Sequence, residues 1–229
     1  MNSTSHSLPL DRRTVADALF DEIRSDIDKM RLLPGTKISE AEVAKRYDVS
    51  RQPVREAFIR LDNLSLLNIR PQKATTVRRM SKSAIRQARF VRESVEIEVA
   101  RRACQISGHI CIDDISAQLE RQSGCLENND IPGFNALDHE FHRSICEIAQ
   151  CDFAIDVIKD CKAKVDRLCM LSLANETDAR HVFNDHVNIA TLLEAKNEKE
   201  LVVAIRNHLA RLDGAIDHIQ THHSSYFEE

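Results

Sequence analysis

The sequence lacks tryptophan altogether and is poor in the other aromatic residues, with two tyrosines and eight phenylalanines among 229 positions. Glycine is also scarce, at five residues. Sheet sandwiches draw on aromatic side chains for their strands and on glycine for their tight turns, so this composition disfavours them. Since 42% of the residues are apolar, the chain can still build hydrophobic cores, and we expect these to be helical.

Long hydrophobic runs are missing as well, since no apolar stretch approaches the ~18 residues that a transmembrane helix needs. No signal peptide precedes the seven cysteines, which are odd in number and form no C-x-x-C pair. Cysteines scattered in this way are typical of a reducing compartment. The sequence therefore predicts a cytoplasmic protein with free thiols and no membrane partner.

Charge is divided unequally along the chain. Residues 1–80 carry 15 Lys and Arg against 11 Asp and Glu, whereas residues 81–229 carry 17 against 25. A basic front part and an acidic rear part indicate that only the front part meets a polyanion such as nucleic acid. The chain length suits two domains. From the composition and the helical patterns below, we predict a mainly α protein. An N-terminal winged helix-turn-helix over residues 11–80 is followed by an all-α six-helix bundle over residues 81–221.

A helix-turn-helix is predicted from Ser39 to Leu61. Ser39 and Glu42 form an S-x-x-E capping box for one short helix, and Ser50 caps the next. Pro53 falls in the first turn of that second helix, where a backbone N–H is not needed. The spacing i, i+3, i+4, i+7 gives this helix one buried face, made of Val54, Ala57, Phe58 and Leu61.

The opposite face of the second helix offers DNA-reading groups near its N-terminus. Arg51, Gln52 and Arg55 present guanidinium and amide groups, which can bond to guanine, adenine or phosphate. A helix that enters the major groove needs that arrangement. An ordinary solvated helix surface is the alternative that the pattern alone leaves open.

A basic hairpin is predicted directly after the helix-turn-helix, over residues 66–80. Leu67 and Ile69 alternate with polar residues, residues 71–74 read as a turn, and residues 75–77 favour a strand. Its position favours contact with a DNA backbone or minor groove, and a solubilising surface is the alternative. The basic residues in it are Arg70, Lys73, Arg78 and Arg79.

The rear part is predicted to contain six helices joined by short connections, which is typical of a helical bundle. Breaks occur where glycine, asparagine or serine interrupts the helical periodicity. The predicted helices span residues 82–106, 112–128, 132–149, 152–173, 177–195 and 198–220.

Four polar side chains interrupt the apolar faces of these helices. Asp138 and His142 lie one turn apart on the helix 132–149, while His186 and His208 occupy apolar stripes of the last two helices. Burying a carboxylate and three imidazoles without partners costs several kcal/mol. Convergence on a divalent metal removes that cost, and three His nitrogens with one carboxylate suit Zn²⁺ first, or Ni²⁺ or Mn²⁺. Hydrogen-bonded core histidines are the alternative.

One further charged residue is predicted to face inward. A salt bridge from Arg92 to Glu96 on the next turn is one role open to it. Arg92 lies in an apolar stripe of the first bundle helix, formed by Ile85, Ala88, Val95 and Val99.

The segment PGTKISEAEVAKRYDVSRQPVREAFIRL resembles the winged helix of the GntR family of bacterial transcription regulators. It carries the PG-x-x-[LI]-S-E and V-S-R-x-P-V-R-E-A signatures of that family, and the resemblance extends over residues 11–80. The resemblance implies contacts to bases or phosphates from one helix, and a wing tip that reaches the DNA. The residues so implied are Ser50, Arg51, Gln52 and Arg55 on the helix, and Gln72 and Lys73 on the wing.

The rear part resembles the effector-binding domain of the FadR-like branch of that family, the FCD type. The segments FVRESVEIEVARRA, LDHEFHRSI and NDHVNIATLLEAKNEKELVVAIRNHL carry this resemblance. The R-x-x-x-E pattern implies that Arg92 meets the carboxylate of a small effector. Metal-binding members use a D-x-x-x-H pair and two later histidines, which implies as metal ligands Asp138, His142, His186 and His208.

Together the resemblances imply a homodimeric, DNA-binding transcription regulator of repressor type, which reads a near-palindromic operator and responds to a small carboxylate. Two alternatives stay open. A metal-dependent enzyme would use open metal positions to activate water, although we find no further inward Glu, His or Lys near the ligands that suits a general base. A constitutive DNA binder would use the metal for structure alone.

Overall fold

The computed structural model describes residues 14–108, 110 and 112–228, and it divides into two compact units. One unit comprises the described residues up to Met80 together with residues 223–228, and the other comprises residues 81–222. Residues 11–13, which are predicted to belong to the first domain, lie outside the described part. No helix in the described part is both long and apolar enough to cross a bilayer.

The first unit contains three helices and a two-stranded wing. The strands pair antiparallel, with Leu67 opposite Val77, and Lys37 adds an isolated bridge to Thr76. These elements agree with the predicted winged helix-turn-helix. In chain order they are α1 (Val15–Asp28), α2 (Glu40–Tyr47), α3 (Arg51–Asn63), β1 (Leu67–Asn68), β2 (Thr76–Val77) and, after the second unit, the 3₁₀ helix η1 (Ser224–Tyr226).

Local sequence sets the ends of α2 and α3. The Glu42 N–H donates to the Ser39 hydroxyl at 3.1 Å, so Ser39 caps α2 as predicted. Asp48 ends α2 in a left-handed conformation, with φ of 53°. Ser50 occupies the N-cap position of α3, but its side chain makes no capping hydrogen bond. The predicted cap is therefore wrong in its bonding, although the helix begins where expected.

One hydrophobic core holds the first unit together. Apolar residues recur at three- and four-residue spacing on α1 and α3, so each helix turns one face inward. Full burial of one such side chain stabilises the fold by about 1.5–3 kcal/mol. Because the inner face of α3 is fixed in this way, its basic outer face is left to solvent. The residues almost without exposure are Leu19, Ile23, Ile27, Val54, Phe58 and Leu61.

Residues 223–228 complete the first unit, a placement that no sequence pattern predicted. Phe227 forms a parallel bridge with Met80. The Met80 N–H donates to the Tyr226 carbonyl at 2.8 Å, and the Glu228 N–H donates to the Met80 carbonyl at 2.9 Å. Phe227 and Met80 are both buried. This tail is consequently a packed part of the winged-helix unit.

The second unit is a six-helix bundle, so the predicted mainly α fold class is confirmed. Every predicted bundle helix is present, with its ends within two residues of the expected positions. The first helix packs most extensively against the last and against the fourth of the bundle. The helices are α4 (Lys82–Gln105), α5 (Asp113–Glu127), α6 (Ile131–Ile148), α7 (Phe153–Leu173), α8 (Glu176–Glu194) and α9 (Glu198–His222).

Candidate functional site

Four polar side chains meet inside the second unit: Asp138, His142, His186 and His208. One nitrogen or oxygen from each lies within 4.8 Å of those of the other three. The His186 Nε2 is 3.2 Å from the Asp138 Oδ1, and the His208 Nε2 is 3.3 Å from the His142 Nε2. All four residues are buried, and His186 has no exposure at all. Helical periodicity placed them inward in the sequence, and the structure brings them together; their role as metal ligands stays a prediction.

The outer nitrogens of two imidazoles are held by further buried side chains. The His142 Nδ1 lies 2.8 Å from the Glu96 Oε2, and the His186 Nδ1 lies 2.8 Å from the Gln122 Oε1. Gln122 has no exposure and donates its amide N–H to the Leu137 carbonyl at 3.3 Å, which directs its oxygen to His186. Such outer partners orient histidines in metal sites and set their tautomers.

The tautomer of His186 leaves a lone pair pointing into the cluster. Because Gln122 accepts at Nδ1, that nitrogen carries the hydrogen and Nε2 is unprotonated. The buried Nε2 makes no hydrogen bond to any described residue, and neither does the buried His208 Nδ1. An unpartnered nitrogen lone pair next to the Asp138 carboxylate fits a bound cation better than a satisfied polar core.

Electrostatics keeps the two central carboxylates ionised. Burial alone would raise the pKa of Asp138, but the positive charges of the Lys162 ammonium and of the neighbouring His142 hold it well below its ordinary value. Burial likewise opposes ionisation of Glu96, whose pKa is lowered by Arg92 and His142. Both carboxylates are therefore negatively charged at neutral pH and able to face cations.

The imidazoles respond in opposite directions to the same environment. Burial lowers the pKa of His186 to about 4 and also lowers the pKa of His208. Burial acts on His142 too, but the carboxylates of Glu96 and Asp138 outweigh it and raise the pKa of His142. At least two of the three rings are thus neutral at physiological pH, the form in which histidine binds metals.

Lys162 and Glu96 are buried beside these groups, and each is held in an ion pair, Lys162 with Asp138 and Glu96 with Arg92. Lys162 on α7 is 1% exposed, and its ammonium donates to the Asp138 Oδ2. Its place in the stripe between Ile158 and Val165 was a signal for inward orientation. Lysines at such positions commonly extend their long side chains to solvent instead, so the signal is weak.

Arg92 faces inward, as predicted, and is 3% exposed. Its Nε donates to the Glu96 Oε1 at 2.7 Å, and its Nη2 donates to the His142 Nε2 at 3.2 Å. The salt-bridge alternative is therefore present in the structure. Binding of an effector by the remaining guanidinium surface is compatible with it and stays a prediction.

A small chamber adjoins the cluster. Its volume is about 60 Å³, which holds only a few water molecules. Basic groups line it together with the Asp138 carboxylate, while the rest of the lining is largely apolar. Residues around this chamber include Arg92, Asp138, Lys162, Cys169, His208 and Arg211. The chamber joins the candidate metal ligands to the residue predicted to meet an effector.

The candidate DNA-binding residues form a separate surface on the first unit. Arg51, Gln52 and Arg55 are exposed on the first two turns of α3. Gln52 donates to the Glu56 Oε1 at 2.9 Å, whereas Arg55 is bound to Glu40. Ser50 is exposed at the helix start, and Gln72 and Lys73 are exposed at the wing tip, where Gln72 has φ of 58°. Their contacts to DNA stay a prediction.

Two protein families match the chain. Residues 15–77 match the family described as bacterial regulatory proteins, gntR family, and residues 87–211 match the FCD domain. The first match covers the helix-turn-helix and wing. The second contains all four converging side chains and Arg92.

Curated relatives resemble the chain over most of its length. The HTH-type transcriptional repressor RspR of Escherichia coli strain K12 is 33% identical over 215 residues, which cover 94% of each chain. The probable D-xylose utilization operon transcriptional repressor of Paenarthrobacter nicotinovorans is 32% identical over 150 residues, or 66% of this chain and 65% of that protein.

Solved structures resemble the fold. A GntR transcriptional regulator of Rhodococcus sp. RHA1 aligns with a TM-score of 0.73 and 18% identity, covering 88% of this chain and 97% of that one. E. coli McbR/YncC aligns with a TM-score of 0.71 and 16% identity, covering 91% and 99%. At these identities the likeness concerns the fold alone.

Proposed function

Because the chain belongs to the GntR family of bacterial regulatory proteins and carries an FCD domain, we propose that it is a ligand-responsive transcriptional repressor with a metal centre. Curated relatives are named transcriptional repressors, which sets the metal-dependent enzyme aside. Repression is carried over from E. coli RspR, which is named a repressor. The protein acts in the cytoplasm, where its DNA target lies.

The DNA-binding half acts through α3 and the wing. Arg51, Gln52 and Arg55 read base edges or hold phosphates from the exposed face of α3, while Gln72 and Lys73 reach the adjacent backbone or groove. The protein is a homodimer, and each copy reads one half of a near-palindromic operator, since two-fold protein symmetry imposes two-fold symmetry on the site.

Asp138, His142, His186 and His208 hold the divalent metal. Three imidazole nitrogens and one carboxylate suit Zn²⁺, with Ni²⁺ and Mn²⁺ as alternatives. The support is the donor set itself, the unpartnered His186 Nε2, and the outer partner on His142 and His186. When bound, the metal supplies Lewis-acid positions for a carboxylate oxygen.

A small carboxylate is the effector, and the chamber beside the ligands receives it. Arg92 presents a permanently charged guanidinium there, fixed by Glu96. A guanidinium held in this way binds a carboxylate at low entropic cost because its orientation is already set.

The effector changes operator affinity only if it binds DNA-competent and DNA-incompetent arrangements with different affinities. Couplings of this kind are typically ~1–3 kcal/mol, or about 5–150-fold in affinity. A constitutive DNA binder with a structural metal has no such coupling, so the coupling separates the two functions.

The meeting of four buried metal-type donors in the chain that carries the winged helix is the observation on which this proposal depends. The test uses operator duplexes selected from random sequence by the full chain. Fluorescence anisotropy then measures operator affinity with and without chelator, and with a panel of small carboxylates. A change of roughly 5-fold or more is expected with one panel member in the metal-loaded protein. Affinity that is the same under every condition would contradict the proposal.

A further inference from the structure

Lys162 is a buried counter-ion of Asp138. Its ammonium donates to the Asp138 Oδ2, while the Oδ1 of the same carboxylate lies 3.2 Å from the His186 Nε2. The lysine is almost completely buried, and an ammonium in such a place needs a counter-ion. In the protein without metal, Lys162 therefore neutralises the carboxylate that the proposed metal would use.

Lys162 also has space into which it can move. Its side chain lines the chamber of about 60 Å³ and, in addition, a second cavity of about 310 Å³. Exposed residues of α6 and α7, among them Arg143 and Lys159, form part of the second cavity, which places it at the surface. Since the chamber alone holds only a few waters, a metabolite needs the space that this ammonium now fills.

The buried charges of the second unit balance one for one in its described part. Histidines that serve as metal ligands are neutral. A divalent cation would therefore add two positive charges to a neutral interior, and uncompensated buried charge is costly. The buried basic side chains are Arg92, Lys162 and Arg167, and the buried acidic ones are Glu96, Asp138 and Asp166.

We propose that Lys162 is a movable counter-ion of Asp138 that makes this site select small dianions. The inference rests on the proposed metal and effector site and names the class of effector that it takes. Once released from Asp138, Lys162 pairs with one carboxylate of the effector, and the other carboxylate lies toward the ligand cluster and Arg92. A dicarboxylate restores a neutral interior, whereas a monocarboxylate leaves one positive charge unmatched.

The first experiment compares succinate with butyrate, which have equal carbon numbers but different charge. Calorimetric titration of the Zn²⁺-loaded full chain is expected to give a dissociation constant about tenfold or more lower for succinate. Malonate against propionate repeats the comparison in a shorter ligand, and malate and hydrogen phosphate extend the set of dianions. Equal affinity within both matched pairs, or no binding by any dianion, overturns the proposal.

Lys162→Met tests the residue itself. In this variant the preference for succinate over butyrate is expected to vanish, and Zn²⁺ alone is expected to bind roughly tenfold more tightly because its competitor is gone. Lys164→Met removes an exposed lysine from the same helix and is expected to keep the wild-type values. A dianion preference that survives in Lys162→Met assigns the selection to other residues and overturns the proposal.

A measurement on the wild type covers the case in which Lys162→Met does not fold. Acetic anhydride modifies accessible lysines, and mass spectrometry locates the modified positions. Lys162 is expected to be protected in the metal-free protein, modified after loading with Zn²⁺, and protected again by succinate. Equal modification in all three states overturns the proposal.

The outcomes also separate this inference from the proposed function. A wild-type protein that takes up no Zn²⁺ contradicts both the metal centre and the role of Lys162. A protein that takes up Zn²⁺ and binds succinate and butyrate equally keeps its metal centre, and only the role of Lys162 is lost.

Discussion

Arg55 on α3 is bound to Glu40 on α2 by two hydrogen bonds. The Arg55 Nε and Nη2 lie 3.2 and 3.1 Å from the two carboxylate oxygens of Glu40. Both side chains are in contact with solvent, so the pair contributes little to stability. Its consequence is geometric, because a bidentate contact sets the plane of the guanidinium before DNA is present.

Replacing Arg55 by alanine is expected to weaken specific operator binding by about 1–3 kcal/mol without unfolding the protein. Arg55→Lys distinguishes a base contact from a phosphate contact. Lysine keeps the charge but loses the planar fork, so a base-reading arginine should lose discrimination between operator and random duplex while non-specific affinity remains. Anisotropy with both duplexes measures this. Unchanged operator affinity in Arg55→Ala would remove the residue from the interface.

Arg51→Ala should reduce operator affinity by a similar ~1–3 kcal/mol, since Arg51 is exposed at the start of α3. If the contact is to phosphate, the slope of log K against log salt should also fall by roughly one unit. Arg180→Ala is the matched control, because it removes one exposed arginine from α8 in the other unit. An equal loss in the control would show that net charge alone is responsible.

Purified protein is expected to contain about one divalent metal ion per chain, since the four donors form one ligand set. His186→Ala should lose the metal, whereas His181→Ala, which removes an exposed histidine of the same helix, should retain it. Elemental analysis of gently isolated protein gives the stoichiometry. Wild type that carries no metal and takes up none on dialysis would refute the centre.

Gln122→Leu should weaken metal binding about 10–100-fold, although Gln122 is not itself a ligand. The substitution removes the oxygen that accepts from the His186 Nδ1 at 2.8 Å, so the tautomer and ring orientation are no longer fixed. Gln118→Leu is the control, because it lies one turn away on α5 and bonds to Ser144 instead. Competition with a fluorescent chelator measures both affinities, and equal values for the two variants would exclude the orienting role.

His186 should make the stability of the metal-free protein depend on pH. Its pKa is about 4 in the folded protein, below its value of about 6.5 in the unfolded chain, so the unfolded chain binds more protons between those values. The stability from this group is complete above pH ~6.5 and is lost as pH falls toward ~4. Urea unfolding of chelated wild type should lose about 2 kcal/mol more between pH ~7 and ~5 than that of His186→Phe. Equal losses would show that His186 titrates normally.

Periodicity was sufficient to predict the helices and the inward orientation of the four polar residues, because each of these features is local to one helix. Asp138 and His142 share a face by their four-residue spacing, and the apolar neighbours of His186 and His208 indicate burial. The signal is strong where a polar residue replaces an apolar one inside an otherwise regular stripe.

Other parts of the site and fold could not be obtained in this way. Lys162 has a side chain long enough to reach either solvent or the interior, so its place in a stripe does not decide its direction. Gln122 is an uncharged residue whose function depends on a partner 64 positions away. The Phe227 segment is too short for any periodic pattern, and its partner Met80 lies on the far side of the helical domain in sequence.

The bridge between Met80 and Phe227 bears on how the protein is made. Residues 223–228 are translated after the whole of the helical domain, yet they supply the last backbone hydrogen bonds of the winged-helix unit. On the ribosome the winged-helix unit can form its three helices early, but Met80 can pair with the tail only after residues 81–222 have emerged. In a nascent chain that stalls inside the helical domain, Met80 of the DNA-binding unit therefore lacks its hydrogen bonds to the tail.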